Sequence, residues 1–297
     1  EAGRLETQTM GNGAVVTYSY DQAGRLVGKE DRTAGGTVIA SYTYTLDPNG
    51  NRTGLDYTQP LLPDIGALDQ TMAHNDGNQV TFNNAWTYAY DGKGNRTSAT
   101  DGATTIAYDY DFNNRLTVVN DGTNLWEYRY TSNGHRISTT DNGVETRWLL
   151  DLNGPMEMVL AEMDAGNVAE RYYVYGDGLL YSVDGATGER LYYHFDPIGN
   201  TVGLTDLTGL VTDSFAYLPF GDLTESTGPH KPAFTFIGKY GVMKEGSGLY
   251  FMRARFYDPL SRVFLGEDPV AGAPISPKTL NLYSYAKNNP TLFIDPR

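Results

Sequence analysis

Five aspartates stand directly before a proline, Asp47, Asp196, Asp258, Asp268 and Asp295, and four histidines, His74, His135, His194 and His230, are scattered along the chain. An Asp-Pro step is first of all a turn starter, because the aspartate bonds to backbone just ahead of it and proline fixes its own φ. Two carboxylates brought within a few ångströms can do more. They cannot both ionise cheaply, so they share a proton, and one can activate water while the other protonates a leaving amine. Spacing alone singles out no such pair among the five. The histidines lie too far apart for ligand spacing, which leaves them surface or packing roles. The run Asp109-Tyr110-Asp111-Phe112-Asn113-Asn114 resembles the opening of a calcium loop. It lacks the glycine at the sixth position and has Asn120 where the bidentate glutamate belongs, so a turn is the better reading. There is no cysteine, no Gly-x-Ser-x-Gly elbow and no phosphate loop. No metal and no cofactor is expected.

The elements that would position such residues are set by composition. The 297 residues are 40% hydrophobic, enough for a sizeable core, and carry 36 acidic against 22 basic side chains, a formal charge of −14. A nucleic-acid duplex or an anionic membrane would be repelled. No run of about 18 apolar residues exists to span a bilayer as a helix. The 34 glycines and 23 tyrosines point to aromatic strands joined by glycine turns, and no segment keeps an apolar helical period over a dozen positions. The chain reads as all-β.

Internal repeats decide the architecture. Tyr18-Ser19-Tyr20-Asp21-Gln22-Ala23-Gly24-Arg25-Leu26 returns as Tyr88-Ala89-Tyr90-Asp91-Gly92-Lys93-Gly94-Asn95-Arg96 and as Tyr108-Asp109-Tyr110-Asp111-Phe112-Asn113-Asn114-Arg115-Leu116, with further copies at Tyr42, Tyr128 and Tyr193. The interval Tyr90 to Tyr110 to Tyr130 is 20 residues each time. One unit is one β-hairpin: a Tyr-x-Tyr strand, an Asp and Gly or Asn turn, and a return strand opened by Arg-Leu. One tyrosine of each pair is expected to be buried and the other exposed or facing a lumen. Lone hairpins are marginal, so neighbours must pair side by side into one twisted sheet. A degenerate copy between Tyr57 and Val80, with Pro60, Pro63 and Gly66, is expected to leave the sheet as a loop. Glu1-Ala2-Gly3-Arg4-Leu5 matches the second half of a unit, which suggests an excerpt of a longer protein that starts inside a repeat.

The repeat resembles the YD repeat of the Rhs family, which includes bacterial Rhs toxins, the C components of Tc toxins and animal teneurins. The C-terminal part is more specific. Gly248-Leu249-Tyr250-Phe251-Met252-Arg253-Ala254-Arg255-Phe256-Tyr257-Asp258-Pro259, Glu267-Asp268-Pro269, Asn281-Leu282-Tyr283-Ser284-Tyr285-Ala286-Lys287-Asn288-Asn289-Pro290 and Asp295-Pro296 resemble the Rhs repeat-associated core domain in order and spacing. The resemblance implies a hairpin sheet that spirals into a hollow shell closed by the core domain. On that pattern residues 1–145 are repeat shell, 146–240 degenerate repeats leading into the core, and 241–297 the self-cleaving core segment.

By the same resemblance the core cuts the chain after an Asp-Pro-x-Gly-Leu motif, of which Asp295-Pro296-Arg297 is the beginning, and leaves an enclosed C-terminal toxin held but detached. Asp268 and Asp295 would be the catalytic carboxylates and Arg255 their basic partner, with Arg253 the alternative. Implied partners are the toxin domain, upstream repeats of the same chain and a secretion-system component; nucleic acid is already excluded by the charge. The implied location is secreted or at the cell surface. Two departures stand out: Arg262-Val263 replaces the usual Gly-Arg, which could alter the turn holding Asp268, and Val270 to Leu280 is a few residues longer than common, as a surface loop would be. The rival reading is a non-catalytic YD-repeat surface or wall protein binding glycans through exposed tyrosines, with a glycoside hydrolase a distant third.

Overall fold

The computed structural model describes residues 3–66, 70–154, 156–270 and 272–295. Among these it holds 25 strands and three short 3₁₀ turns, and no α-helix. Glu1, Ala2, Pro296 and Arg297, parts of the opening and closing motifs, lie outside the described residues, as do residues 67–69 of the degenerate copy. The chain divides into two compact units. The first comprises residues 1–64, 173–218 and 223–240, and the second residues 65–172, 219–222 and 241–297.

The Tyr-x-Tyr-Asp hairpins share one local recipe. Thr105–Tyr110 pairs with Leu116–Asn120 through Tyr108↔Val119 and Asp109↔Val118, then slips by one residue so that Tyr110 faces Leu116. The bulge lets the strand close on an aspartate turn: the backbone N–H of Asp111 donates to the Arg115 carbonyl at 2.9 Å, and the Arg115 N–H donates to Asp111 Oδ1 at 3.0 Å. The same closure follows Asp21, Asp47, Asp91 and Asp196. The turn needs one left-handed residue, supplied by Gly94 at φ 82° and by Asn114 at φ 60°. Asp47 and Asp196 are therefore turn residues, and the calcium-like run is the end of a strand, Asp109 and Tyr110, followed by the same kind of turn, Asp111 to Asn114.

The expectation of one buried and one exposed tyrosine per pair is corrected. Tyr42 and Tyr44 are both buried, while Tyr88, Tyr108 and Tyr128 are buried and Tyr90, Tyr110 and Tyr130 half-buried. The residues between them, Thr43, Ala89, Asp109 and Arg129, are exposed. Side chains two apart on a strand share a face, so both tyrosines point the same way. The degenerate copy is also corrected in part. Gln59 to Gly66 forms no strand, but Met72–His74 pairs with Val80–Asn83, and the turn between them is closed by Asn75 in place of aspartate.

In the first unit the strands from Thr7–Thr9 to Arg52–Thr58 pair in chain order, and Tyr42 and Tyr44 pack with Ala40 and Val202. In the second, hairpins from Met72 onward also pair in chain order, and Met243–Lys244, Tyr250–Met252, Arg255–Asp258 and Val263–Phe264 form a separate four-stranded antiparallel sheet. That small sheet packs on the tyrosine face, with the Tyr128 and Phe256 rings 4.7 Å apart. Burying a ring of this size contributes on the order of 2–3 kcal/mol.

Candidate active site

Arg255 begins the strand Arg255–Asp258, paired with Tyr250–Met252 on one side and Val263–Phe264 on the other. The hairpin before it turns through Arg253 at φ 58°. Arg253 donates from Nε and Nη2 to the Glu157 carbonyl, at 3.1 and 2.9 Å. Arg255 instead lies with its guanidinium carbon 3.6 Å from the centre of the Phe264 ring, its side chain 6% exposed.

Three groups meet at that guanidinium. Nη2 lies 3.0 Å from Asp268 Oδ2 and 3.4 Å from Asp295 Oδ2, and Nη1 donates to the Leu282 carbonyl at 3.0 Å. The same carbonyl accepts the Asp268 backbone N–H at 3.0 Å, while Asp268 Oδ1 accepts the Val270 N–H at 2.8 Å. Asp268 is thus held by its backbone, by one oxygen in its own Asp-Pro turn and by the other on Arg255. Burial lowers the Arg255 pKa from its ordinary value, and the charges of Asp268 and Asp295 work against that lowering. The carboxylates are about one third open, at 32% and 29%, so water can reach them while the arginine stays covered.

Asp268 lines two cavities. One, of about 580 Å³, is bounded by Arg255 and Glu267 on the core side and by hairpin-turn residues Asn95, Asn114, Arg115 and Asn133. The other, of about 450 Å³, is bounded by Phe293, Ile294 and Asp295 together with the Val270 to Leu280 stretch. That stretch is a mostly exposed loop with one 3₁₀ turn, Pro277–Thr279.

Arg262, in the position usually held by glycine, adopts φ 61° and closes its turn by donating its N–H to the Asp258 carbonyl at 2.8 Å. The left-handed turn is kept despite the side chain, which extends to within 5.2 Å of the Phe220 ring centre. Of the four histidines, His194 is fully buried between Asp31 and Thr205, His135 pairs with Glu157, His230 pairs with Asp213, and His74 is exposed at the end of its strand.

Sequence reasoning missed two features here. The Leu282 carbonyl carries no side-chain signal at all. Asp258 is more than a turn starter, because its Oδ2 forms a buried ion pair with Arg96 at 2.7 Å. The signal for it was an arginine at the position that Leu26 and Leu116 hold in two other copies.

The Teneurin YD-shell family description matches residues 4–291. The tRNA nuclease WapA of Bacillus subtilis (strain 168) is 30% identical over 263 residues, which cover 88% of this chain and 11% of that protein. The double-stranded DNA deaminase toxin A of Burkholderia cenocepacia (strain H111) is 25% identical over 325 residues, covering 94% of this chain and 22% of that one. Among solved structures, the TcdB2-TccC3-Cdc42 crystal structure superimposes with a TM-score of 0.66 at 17% identity, over 99% of this chain and 19% of that one, a likeness of fold.

Proposed function

Since the chain belongs to the teneurin YD-shell family and its relatives include toxins, we propose that it is the C-terminal part of an Rhs-type toxin shell that encloses a C-terminal toxin and frees it by a single self-cleavage. The observation that carries this reading is one arginine nitrogen, Nη2 of Arg255, shared by Asp268 and Asp295. In the proposed step one carboxylate takes a proton from water, the water oxygen adds to the scissile carbonyl carbon, and the C–N bond breaks as the other carboxylic acid gives its proton to the leaving amine. Arg255 keeps the two acids close despite their like charge and stabilises charge developing beside them. Because the scissile segment is tethered to Asp295, proximity lowers much of the barrier. Residues 241–297 would be the cleaving segment, 1–145 repeat shell and 146–240 the degenerate repeats between. Partners would be the enclosed toxin, upstream repeats and a secretion component, with the product secreted or displayed at the cell surface.

The test uses a chain extended past Arg297 through Gly-Leu and a following domain. Its purified product should appear as two fragments by intact mass, with a new N-terminus just behind the motif, and Asp47→Asn should cleave equally well. A single uncut polypeptide would remove the cleavage reading. The tyrosine face argues against glycan binding, since Tyr88, Tyr108 and Tyr128 are each no more than 5% exposed.

A further inference from the structure

Arg96 opens the strand Arg96–Thr100 and sits opposite Tyr90, at the register position that Leu116 holds opposite Tyr110 and Leu26 opposite Tyr20. A guanidinium in place of a leucine, 0% exposed, requires partners, because a buried unpaired charge is far costlier than a buried methyl group. Its ion-pair partner and its short hydrogen bonds lie in the hairpin of the candidate active site. Nη1 donates to Asp258 Oδ2 at 2.7 Å, Nη2 donates to Ser261 Oγ at 2.8 Å, and the Arg96 backbone N–H donates to the Leu265 carbonyl at 2.8 Å. Ser261 Oγ in turn donates to Asp258 Oδ2 at 2.6 Å, and the Arg96 guanidinium lies 4.2 Å from the centre of the Tyr88 ring. Burial works against the arginine's charge and is the largest single influence, but the Asp258 carboxylate together with Tyr90, Tyr108 and Tyr88 outweighs it.

These contacts fall on both arms that carry the site. Asp258 ends the short strand that Arg255 begins, and Leu265 follows the two-residue strand Val263–Phe264 on the way to Asp268. Strands of four and two residues have too few ladder bonds to hold their own register. The residues just before Arg96 reinforce the grip: the Tyr283 hydroxyl donates to the Gly94 carbonyl at 2.8 Å and lies 3.2 Å from Glu267 Oε1, beside Asp268.

We propose that Arg96 is a positioning residue for the self-cleavage: by holding Asp258 and Leu265 together it fixes Arg255 and Asp268 in reach of each other. This rests on the aspartic reading above. A displacement of about 1 Å at a reacting group can cost on the order of a hundredfold in rate. The residue acts through others and touches no reacting atom.

The extended chain, expressed so that cleavage starts on transfer to a permissive pH, gives the rate by intact mass over time. Arg96→Met/Asp258→Asn removes both charges and should slow cleavage by about tenfold or more. Lys29→Met/Asp31→Asn, which removes a buried ion pair in the other compact unit, is the stability control. It should lower the melting temperature comparably yet cleave within about twofold of the parent. Arg96→Lys, which keeps a charge for Asp258 but loses the fork to Ser261, should fold with near-parental melting and cleave at an intermediate rate. Parental rates in both Arg96 variants, or equal slowing in the control pair, would overturn the proposal. If Asp268→Asn still cleaves, the aspartic reading itself fails and takes this role with it; if Asp268→Asn is dead and the Arg96 variants are normal, only the positioning role fails.

Discussion

Arg255 and Asp268 are joined twice: Nη2 of the arginine lies 3.0 Å from Oδ2 of the aspartate, and the Leu282 carbonyl accepts both Nη1 of the first and the backbone N–H of the second. The pair is fixed through side chain and main chain together. A two-point guanidinium contact is therefore asked for at this place, beyond a positive charge alone.

Arg255→Lys should retain partial cleavage in the extended chain, and Arg255→Ala should lose about 10²- to 10³-fold, the range for removing one preorganised stabilising group. Lysine keeps the charge near the carboxylates but cannot reach Leu282 and both aspartates with a planar fork. Both variants also lose guanidinium stacking on Phe264. Single-turnover time courses decide the matter: equal rates for lysine and alanine would mean that the fork contributes nothing.

Truncation at the tyrosine face should be costly where truncation on the opposite face is not. Tyr128 is 2% exposed and packs on Phe256, so Tyr128→Ala should destabilise by about 3–5 kcal/mol. Arg129, next to it and with a side chain 73% exposed, should tolerate alanine within about 0.5 kcal/mol. Denaturant melts of the two variants measure the difference, and similar losses would reject the shared-face arrangement.

Hairpin architecture was legible because its signals are local: a 20-residue recurrence, an aspartate to close each turn, and a glycine or asparagine for positive φ. Asp268, Asp295 and Arg255 were legible as motif positions of a resemblance, and the fold gathers all three at one nitrogen. The side of the sheet each tyrosine takes follows from the period of two, and reading the pair as facing opposite ways missed that. The hairpin at Asn75 was hidden because asparagine replaces the aspartate and the tyrosines are gone. The Arg96 to Asp258 pairing spans 162 residues and leaves only an arginine at a position that Leu26 and Leu116 hold in two other copies and Arg136 in a third.

Acid should weaken the fold through its turns. Hydrogen bonds from the turn, the Arg25 backbone first for Asp21 and the Asn51 side chain first for Asp47, hold these carboxyls below their usual range. At Asp91 and Asp111 burial pushes upward, but bonds from Asn95 and Arg115 prevail and the values are lowered. A depressed folded-state pKa means that the unfolded chain takes up protons first, near about pH 4. The contribution is present above that pH and lost as pH falls through the folded values. Burial raises Asp196 and Glu245, which act in the opposite sense. The melting temperature should therefore fall between about pH 5 and pH 3, and a flat or rising profile would contradict the balance.

The most direct measurement is the intact mass of extended chains carrying Asp268→Asn or Asp295→Asn, purified beside the parent. An amide is nearly isosteric with the carboxylate but can neither accept a proton from water nor share one with its partner. Both variants should fold, with parental β-type circular dichroism, and each should remain one uncut polypeptide while the parent appears as two fragments. Two fragments from Asp268→Asn, cut behind the Asp295 motif at the parental rate, would contradict the aspartic mechanism.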